Sequence, residues 1–358
     1  MSDIVEKALS GEALDVGDVE ELMKEDIWIL GRAAARLTES IFKGRVTFVS
    51  NMILNYTNVC TVACRFCAFY RPPGHPEAYV RSPEEAARAA AEVYRAFEIR
   101  QILVQGGVNP ELDVEYYEEM FRRLKERVPD AAIHGLSPIE VDYLAKRGRM
   151  SYREVLGRLR DAGMDAMSGG GAEILDEEVR RVITPYKFNA EAWLRVQEEA
   201  HSLGIPTNAT MLYGHIEEPR HIVKHISEIR DLQRKLHGVL TFIPVKFMPW
   251  NTQLHRDGRV KGPAPPELDI KVTAISRLML AGEIPRISAY WTSVGKRMSS
   301  ILLLSGANDL VGTMLNEEVL HRAGSGEGSS LDELAHIARE VGRRPVQRDT
   351  FQRALREL

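Results

Sequence analysis

Cys60-Thr-Val-Ala-Cys64-Arg-Phe-Cys67 contains all three cysteines of this 358-residue chain, in a C-x3-C-x2-C spacing. Three thiolates at this spacing fit one face of a [4Fe–4S] cluster and leave the fourth iron open to a substrate. A structural zinc site instead takes four protein ligands, with His75 as the candidate for the fourth. Zinc motifs usually contain two pairs of cysteines, and the sequence has no second pair. The spacing therefore favours an open cluster, and an open iron implies chemistry.

The composition indicates a protein that acts on small molecules. The formal net charge is -4, whereas nucleic-acid binding requires a basic surface. Residues 1–23 lack the apolar core of a signal peptide, and no run approaches the ~18 apolar residues of a membrane span. We therefore predict a cytoplasmic protein with a small-molecule substrate and neither a nucleic-acid nor a membrane partner. A reducing compartment also suits the cysteines, and the sequence leaves the oligomeric state open.

Short apolar runs alternate with longer amphipathic stretches, which is typical of a parallel β/α fold. Eight such units make an α/β protein with a (β/α)8 TIM-type barrel the first choice, and a partial, splayed barrel the alternative. We expect a helical extension over residues 1–43, the barrel over 44–322, and a C-terminal helix and tail over 323–358 that pack on the barrel. The predicted strands are 46–54, 101–105, 131–136, 164–167, 206–211, 239–245, 286–291 and 308–313.

Polar and glycine residues follow the predicted strands, where the βα loops of a barrel form the mouth of the active site. Gly106-Gly107 and Gly169-Gly170-Gly171 remove side chains where a ligand could approach the backbone. Ser137 follows the third strand, but it also begins a Ser-x-x-Glu capping box. Glu173 lies two residues after the triple glycine and either holds a ligand or caps the helix predicted over 174–183.

The cysteine loop resembles that of the radical S-adenosylmethionine (SAM) enzymes, in which an aromatic residue, here Phe66, precedes the last cysteine. The resemblance implies a [4Fe–4S] cluster on Cys60, Cys64 and Cys67, and cleavage of SAM to a 5'-deoxyadenosyl radical. It also implies an external electron donor such as a flavodoxin or ferredoxin. The residues that it assigns to cofactor binding are Phe66, Phe69, Gln105, Gly106, Gly107, Ser137 and Glu173, with Glu173 as a candidate for the ribose hydroxyls of SAM.

Further segments resemble the radical SAM enzymes of the futalosine pathway of menaquinone biosynthesis and their deazaflavin-cofactor relatives. The segments are Asn55 to Cys60, Cys64 to Arg71, Gln105 to Leu112, His134 to Pro138, Gly169 to Ile174, Tyr213 to His215, Phe242 to Pro244 and Arg348 to Thr350. Within this group the motifs favour dehypoxanthine futalosine cyclase. Aminofutalosine synthase, a deazaflavin-pathway transferase of the FO synthase type, and a non-enzymatic metal-binding module are the alternatives.

For the cyclase, the resemblance implies hydrogen abstraction from a ribose followed by ring closure onto a benzoate, which needs a base for the ring proton. His215 and Glu173 are the candidate catalytic residues. Asn208, Thr210 and Arg348 are the candidates for holding the substrate carboxylate, and Tyr290 and Trp291 could stack on an aromatic substrate.

Overall fold

The computed structural model describes residues 3–10, 14, 16–187, 189–326 and 328–358. Its centre is a curled parallel sheet of seven strands in the order β2-β3-β4-β5-β6-β7-β8. The strands are β1 (Arg45–Val49), β2 (Asn51–Asn55), β3 (Gln101–Gln105), β4 (Ala132–Gly135), β5 (Ala166–Met167), β6 (Thr207–Tyr213), β7 (Val239–Lys246), β8 (Arg286–Ile287), β9 (Asp309–Gly312), β10 (Arg344–Arg348) and β11 (Ala354–Glu357). All eight predicted strand positions are occupied, and the α/β TIM-type fold is confirmed.

Helices connect the strands and cover the outside of the sheet. They are α1 (Asp3–Ser10), α2 (Val16–Leu22), α3 (Ile27–Phe42), α4 (Pro83–Phe97), α5 (Val114–Arg127), α6 (Pro138–Gly148), α7 (Tyr152–Asp161), α8 (Glu177–Ile183), α9 (Ala190–Ser202), α10 (Pro219–Leu236), α11 (Gln253–Arg256), α12 (Pro266–Leu280), α13 (Trp291–Val294), α14 (Lys296–Leu303) and α15 (Leu331–Glu340), with a 3-10 turn at His321–Ala323. None of the described helices is long and apolar enough to cross a lipid bilayer. The proposed division into extension, barrel and tail stays a prediction.

The sheet does not close as a continuous barrel, because the first predicted strand is divided at Ser50. β2 pairs with β3, whereas β1 joins a second sheet of order β11-β10-β1-β9. Two isolated bridges span the gap: Ser288 with Asp309, and Met52 with Leu315. Between them Thr313 Oγ1 donates to Asn51 O at 2.6 Å, so side-chain bonds replace part of the missing ladder.

The packing of the helices leaves the inner face of the sheet free to line a cavity. One buried apolar cluster joins β2–β4 to α4–α7, and another joins β6–β8 to α8–α10 and α12. Both lie on the outer side of the strands. Since parallel strands end at the same edge, the loops after β2–β7 meet at one mouth.

Candidate active site

A cavity inside the curled sheet runs from the cysteine loop at the mouth to the C-terminal tail at the opposite end. Eight of the predicted site residues line it: Phe66, Cys67, Gln105, Glu173, Asn208, Thr210, Tyr290 and Arg348. The other eight do not line it: Cys60, Cys64, Phe69, Gly106, Gly107, Ser137, His215 and Trp291. Sequence reasoning therefore located the cavity well but assigned side chains to it less reliably.

The cysteine loop does not have the geometry of a site for one metal ion. Among the described residues, the one set of three His, Cys, Asp or Glu ligand atoms that lie within 4.8 Å of one another contains no cysteine and no His75. The ligands of a tetrahedral zinc ion, each 2.0–2.3 Å from the metal, would meet that condition. The three sulfurs are thus spread too widely for a zinc knuckle, whereas a multi-iron cluster accommodates such a spread.

Without a bound metal, the surroundings of Cys64 and Cys67 favour the protonated thiols over the thiolates. Burial raises the pKa of the Cys64 thiol, and burial followed by the charge of Cys64 raises the pKa of Cys67 to about 12. The backbone amides of Tyr70 and Phe69 act in the opposite direction and lower the pKa of Cys67, and Cys64 Sγ lies 3.2 Å from Thr184 Oγ1. Hydrogen bonds to the sulfurs are typical of iron–sulfur sites, and bound iron would offset the cost of burying the thiolates.

Arg71 holds the ends of the cysteine loop together. Its carbonyl oxygen accepts from Cys60 N at 2.9 Å, and its amide donates to Asn58 O at 2.7 Å. The guanidinium donates to the carbonyl of Tyr70 at 2.9 Å and pairs with Glu77 at 2.6 Å. Arg71 therefore fixes the position of the loop from outside the cavity.

Gly106 and Gly107 have a packing role that the sequence did not show. A Cβ on Gly106 would lie 2.6 Å from the Tyr56 ring, and one on Gly107 would lie 2.7 Å from Cys60 Cβ and closer still to Val59 O. These glycines let the loop after β3 lie directly against the cysteine loop. Their predicted contact with SAM stays a prediction, and of this segment it is Gln105 that lines the cavity.

Glu173 lies at the mouth, but not as a helix cap. The N-cap of α8 is Asp176, so that alternative is wrong. The Glu173 backbone has a left-handed φ of 48°, and its carboxylate accepts from Lys187 Nζ at 2.6 Å. Burial lowers the pKa of Lys187, but the charges of Cys64 and Glu173 outweigh it and raise the pKa above its usual value. Lys187 also lies over the ring of Phe66, 5.4 Å from the centroid.

His215 does not reach the cavity, although it follows a strand as an active-site residue would. Its side chain is fully buried, and Nδ1 lies 2.9 Å from the carboxylate of Glu217. Its Nε2 lies 3.1 Å from Leu212 O. The structure therefore gives no support to His215 as the catalytic base, because Glu217 holds the ring away from any substrate.

Three other predicted contacts are placed behind the cavity wall by their own bonds. Trp291 is buried and donates from Nε1 to Gly312 O at 3.0 Å, so it cannot stack on a substrate. Ser137 donates from Oγ to Glu140 at 2.5 Å and completes the capping box of α6. Phe69 is buried beside the cysteine loop, and its backbone amide acts to lower the pKa of Cys67. For these residues the structural role predominates.

Arg348 lines the cavity at its floor rather than at the mouth, where the sequence placed it. Its Nε donates to Asp309 Oδ2 at 2.8 Å, and this oxygen also accepts from Thr47 at 2.7 Å. The other Asp309 oxygen accepts from Ser288 at 2.9 Å and from Val311 N at 2.8 Å. Arg348 is therefore committed to a buried ion pair.

Lys246 and Glu317 are cavity residues that sequence reasoning missed. Lys246 follows the predicted strand 239–245 directly, and this position was a usable signal. Its Nζ donates to Asp269 at 2.8 Å. Glu317 belongs to the segment after β9 that covers the mouth beside Tyr290, and burial raises its pKa. No strand pattern marked Glu317, because it lies beyond the last predicted strand.

Two protein-family models and several known proteins are similar to this chain. Residues 54–229 match the model of the radical SAM superfamily, and residues 236–357 match that of the CofH/MqnC C-terminal region. The 5-amino-6-(D-ribitylamino)uracil–L-tyrosine 4-hydroxyphenyl transferase of Methanopyrus kandleri is 39% identical over 98% of this chain and 96% of that protein. The chain belongs to the radical SAM superfamily.

This radical SAM enzyme is also similar to part of a longer protein, and two solved structures share its fold. The FO synthase of Mycobacterium tuberculosis is 39% identical over 88% of this chain, which corresponds to 37% of that longer protein. Methylornithine synthase has the same fold, with a TM-score of 0.72, 17% identity and coverage of 96% of this chain and 97% of that one. The hydrogenase maturase HydG of Carboxydothermus hydrogenoformans has a TM-score of 0.72 and 19% identity, over 96% of this chain and 79% of that one.

As a radical SAM enzyme, the protein uses a [4Fe–4S] cluster and SAM. The three cysteine sulfurs, which do not all lie within 4.8 Å of one another, fit that cluster. The names of these relatives agree with the transferase, which was an alternative prediction, and do not support the futalosine cyclase, which was the preferred one.

Proposed function

We propose that this radical SAM enzyme transfers the 4-hydroxyphenyl group of L-tyrosine to 5-amino-6-(D-ribitylamino)uracil. The observation that carries the proposal is 39% identity to the Methanopyrus kandleri transferase, spread over 98% of this chain and 96% of that protein. A relative from Methanothermobacter thermautotrophicus with the same name is 38% identical over 93% of this chain. Similarity along the whole length includes the strands that line the cavity, and not only the cysteine loop.

The residues of the chain divide into a cofactor end and a substrate space. Cys60, Cys64 and Cys67 would hold the cluster. The reduced cluster and SAM together would supply the 5'-deoxyadenosyl radical. Gln105 and Glu173 line the cavity next to this loop, in positions to bind polar groups of SAM. The electron has to come from outside the chain, and we propose a protein carrier such as a flavodoxin or ferredoxin, in the cytoplasm.

The middle of the cavity protects a reactive intermediate from water. Its wall contains Ile53, Leu103, Ile243, Val245, Val311 and Met314. Apolar side chains keep solvent out of the cavity, which prevents side reactions of a reactive intermediate with water. Lys246 lies at the mouth end of this wall, where its charge is paired with Asp269.

The experiment compares the candidate substrates directly under anaerobic conditions. Protein with a reconstituted cluster is incubated with dithionite, SAM, L-tyrosine and 5-amino-6-(D-ribitylamino)uracil, and in parallel with dehypoxanthine futalosine. We expect a coupled product of tyrosine and the uracil in the first mixture, detected by mass spectrometry. A cyclised product from dehypoxanthine futalosine, with no coupled product, would establish the cyclase instead.

A further inference from the structure

The floor of the cavity is built by the C-terminal tail and not by the barrel strands alone. Between β10 and β11 the chain turns at residues 349–353 and enters the open end of the sheet. Thr350 Oγ1 accepts from Gln101 Nε2 at 3.0 Å, and Gln352 Nε2 donates to Thr241 Oγ1 at 3.0 Å. Gln101 and Thr241 lie at the starts of β3 and β7, so this floor is at the end opposite the cysteine loop.

Gln352 is held in an uncommon conformation that keeps its side chain at this floor. Its φ is 71°, a left-handed value that few residues other than glycine adopt. The turn is held by Arg286, which donates to Gln352 O at 3.2 Å, and by Asp349, whose carbonyl accepts from Gln352 N at 3.3 Å. Backbone strain of this kind persists where the surroundings enforce it, often at ligand sites.

The acceptor atom of Gln352 is unused within the described part of the chain. Its Oε1 is buried and has no hydrogen-bond partner there, although Gln352 lines the cavity. Buried polar atoms in native proteins are nearly always bonded, so an orphaned acceptor indicates an absent donor. A ligand hydroxyl is a donor of the right kind for this position.

The accessible groups at the floor of the cavity are neutral amides and hydroxyls. The Asp309–Arg348 ion pair at the floor has side-chain exposures of 0% and 5% and is fully occupied by its own partners. The mouth has the Glu173–Lys187 and Lys246–Asp269 pairs and Glu317. A neutral polyhydroxyl chain therefore matches the floor.

The cavity is deep enough to bind an elongated substrate end to end. Thr241 at the floor and Lys246 at the mouth are five residues apart on β7, which corresponds to roughly 16 Å along a strand. We infer that the floor made by Thr241, Thr350 and Gln352 is the subsite for the ribityl chain of the uracil substrate, with Gln352 Oε1 accepting from one of its hydroxyls. This inference rests on the proposed function and adds the orientation of the substrate to it.

The test combines a variant with a truncated substrate. The variant Gln352→Ala is compared with Gln347→Ala, a matched control in the same tail, because Gln347 is buried and bonds to Arg356 without lining the cavity. The substrates are 5-amino-6-(D-ribitylamino)uracil and 5,6-diaminouracil, which lacks the chain. We expect Gln352→Ala to lower kcat/KM about tenfold for the ribityl substrate, the effect of one lost hydrogen bond. We expect no change for diaminouracil or in the KM for L-tyrosine, and no change in the control.

A loss of equal size with both uracils, or no loss with the ribityl substrate, would overturn the inference. Binding of the ribityl substrate to the cluster-loaded protein by titration calorimetry separates this failure from that of the proposed function. If the wild type binds it but forms no coupled product, the function is wrong, and about tenfold weaker binding by Gln352→Ala would still support the subsite. If Gln352→Ala does not fold, Gln352→Asn replaces it, since asparagine tolerates a left-handed φ. Unchanged affinity in that shorter variant would count against the subsite.

Discussion

Replacing Gly107 by alanine tests whether the cysteine loop depends on close packing against the loop after β3. The new Cβ would lie 2.7 Å from Cys60 Cβ and closer still to Val59 O, whereas carbon atoms in contact are normally 3.5–4.0 Å apart. Since neither atom is the end of a flexible side chain, the cysteine loop itself has to move by roughly 1 Å. Overpacking of this kind costs about 1–3 kcal/mol.

The displacement acts on Cys60, so we expect loss of the cluster as well as loss of stability. The measurements are urea unfolding of the protein without cluster, and iron and sulfide content after anaerobic reconstitution. Gly157→Ala is the matched control, because a Cβ there meets nothing within 4 Å and alanine favours a helix over glycine by about 0.5–1 kcal/mol. If Gly107→Ala keeps both wild-type stability and a full complement of iron, close packing is not what fixes the loop.

The remaining predictions concern three buried charged or titratable groups. Lys187→Met leaves the carboxylate of Glu173 without its cation, and we expect a loss of about 3 kcal/mol in stability with weaker SAM binding. The control is Lys224→Met, because the side chain of Lys224 is 49% exposed in its ion pair with Asp176, and its loss should cost under about 1 kcal/mol in stability. Equal losses for the two variants in urea unfolding would contradict the prediction. His215→Gln should lower Tm, but it should not lower the yield of product per molecule of SAM cleaved. If the variant cleaves SAM without forming product, His215 is the catalytic base after all. Burial lowers the pKa of His134 to about 4, so its neutral form stabilises the fold fully above about pH 6.5 and less as the pH falls towards 4. The stability advantage of the wild type over His134→Gln should narrow by about 2 kcal/mol between pH 7 and pH 5, and a constant difference in urea unfolding would contradict the assignment.

Local patterns predicted the barrel well because each βα unit encodes its own hydrophobic period. The division of the first strand at Ser50 had no such signal, since the partner of β1 is β10, about 300 residues later, through pairs such as Val46 with Pro345. Position after a strand was likewise informative for Glu173, and it was an unused signal for Lys246. It was less informative for His215, whose buried ring lies 2.9 Å from the carboxylate of Glu217, two residues away, and does not line the cavity.

The sequence predicted the cofactor end of the cavity better than the substrate end, and this difference has a physical cause. A cluster needs several ligands at fixed spacing, and one loop supplies them, so eight consecutive residues were enough to predict the cofactor. Substrate recognition is distributed: Gln101 and Thr350 meet at the floor although 249 positions separate them in the chain. Each floor residue is an ordinary amide or hydroxyl that could equally lie on a surface. Only the fold shows that these groups share one wall, and therefore the choice between cyclase and transferase depended on similarity along the whole chain rather than on any short motif.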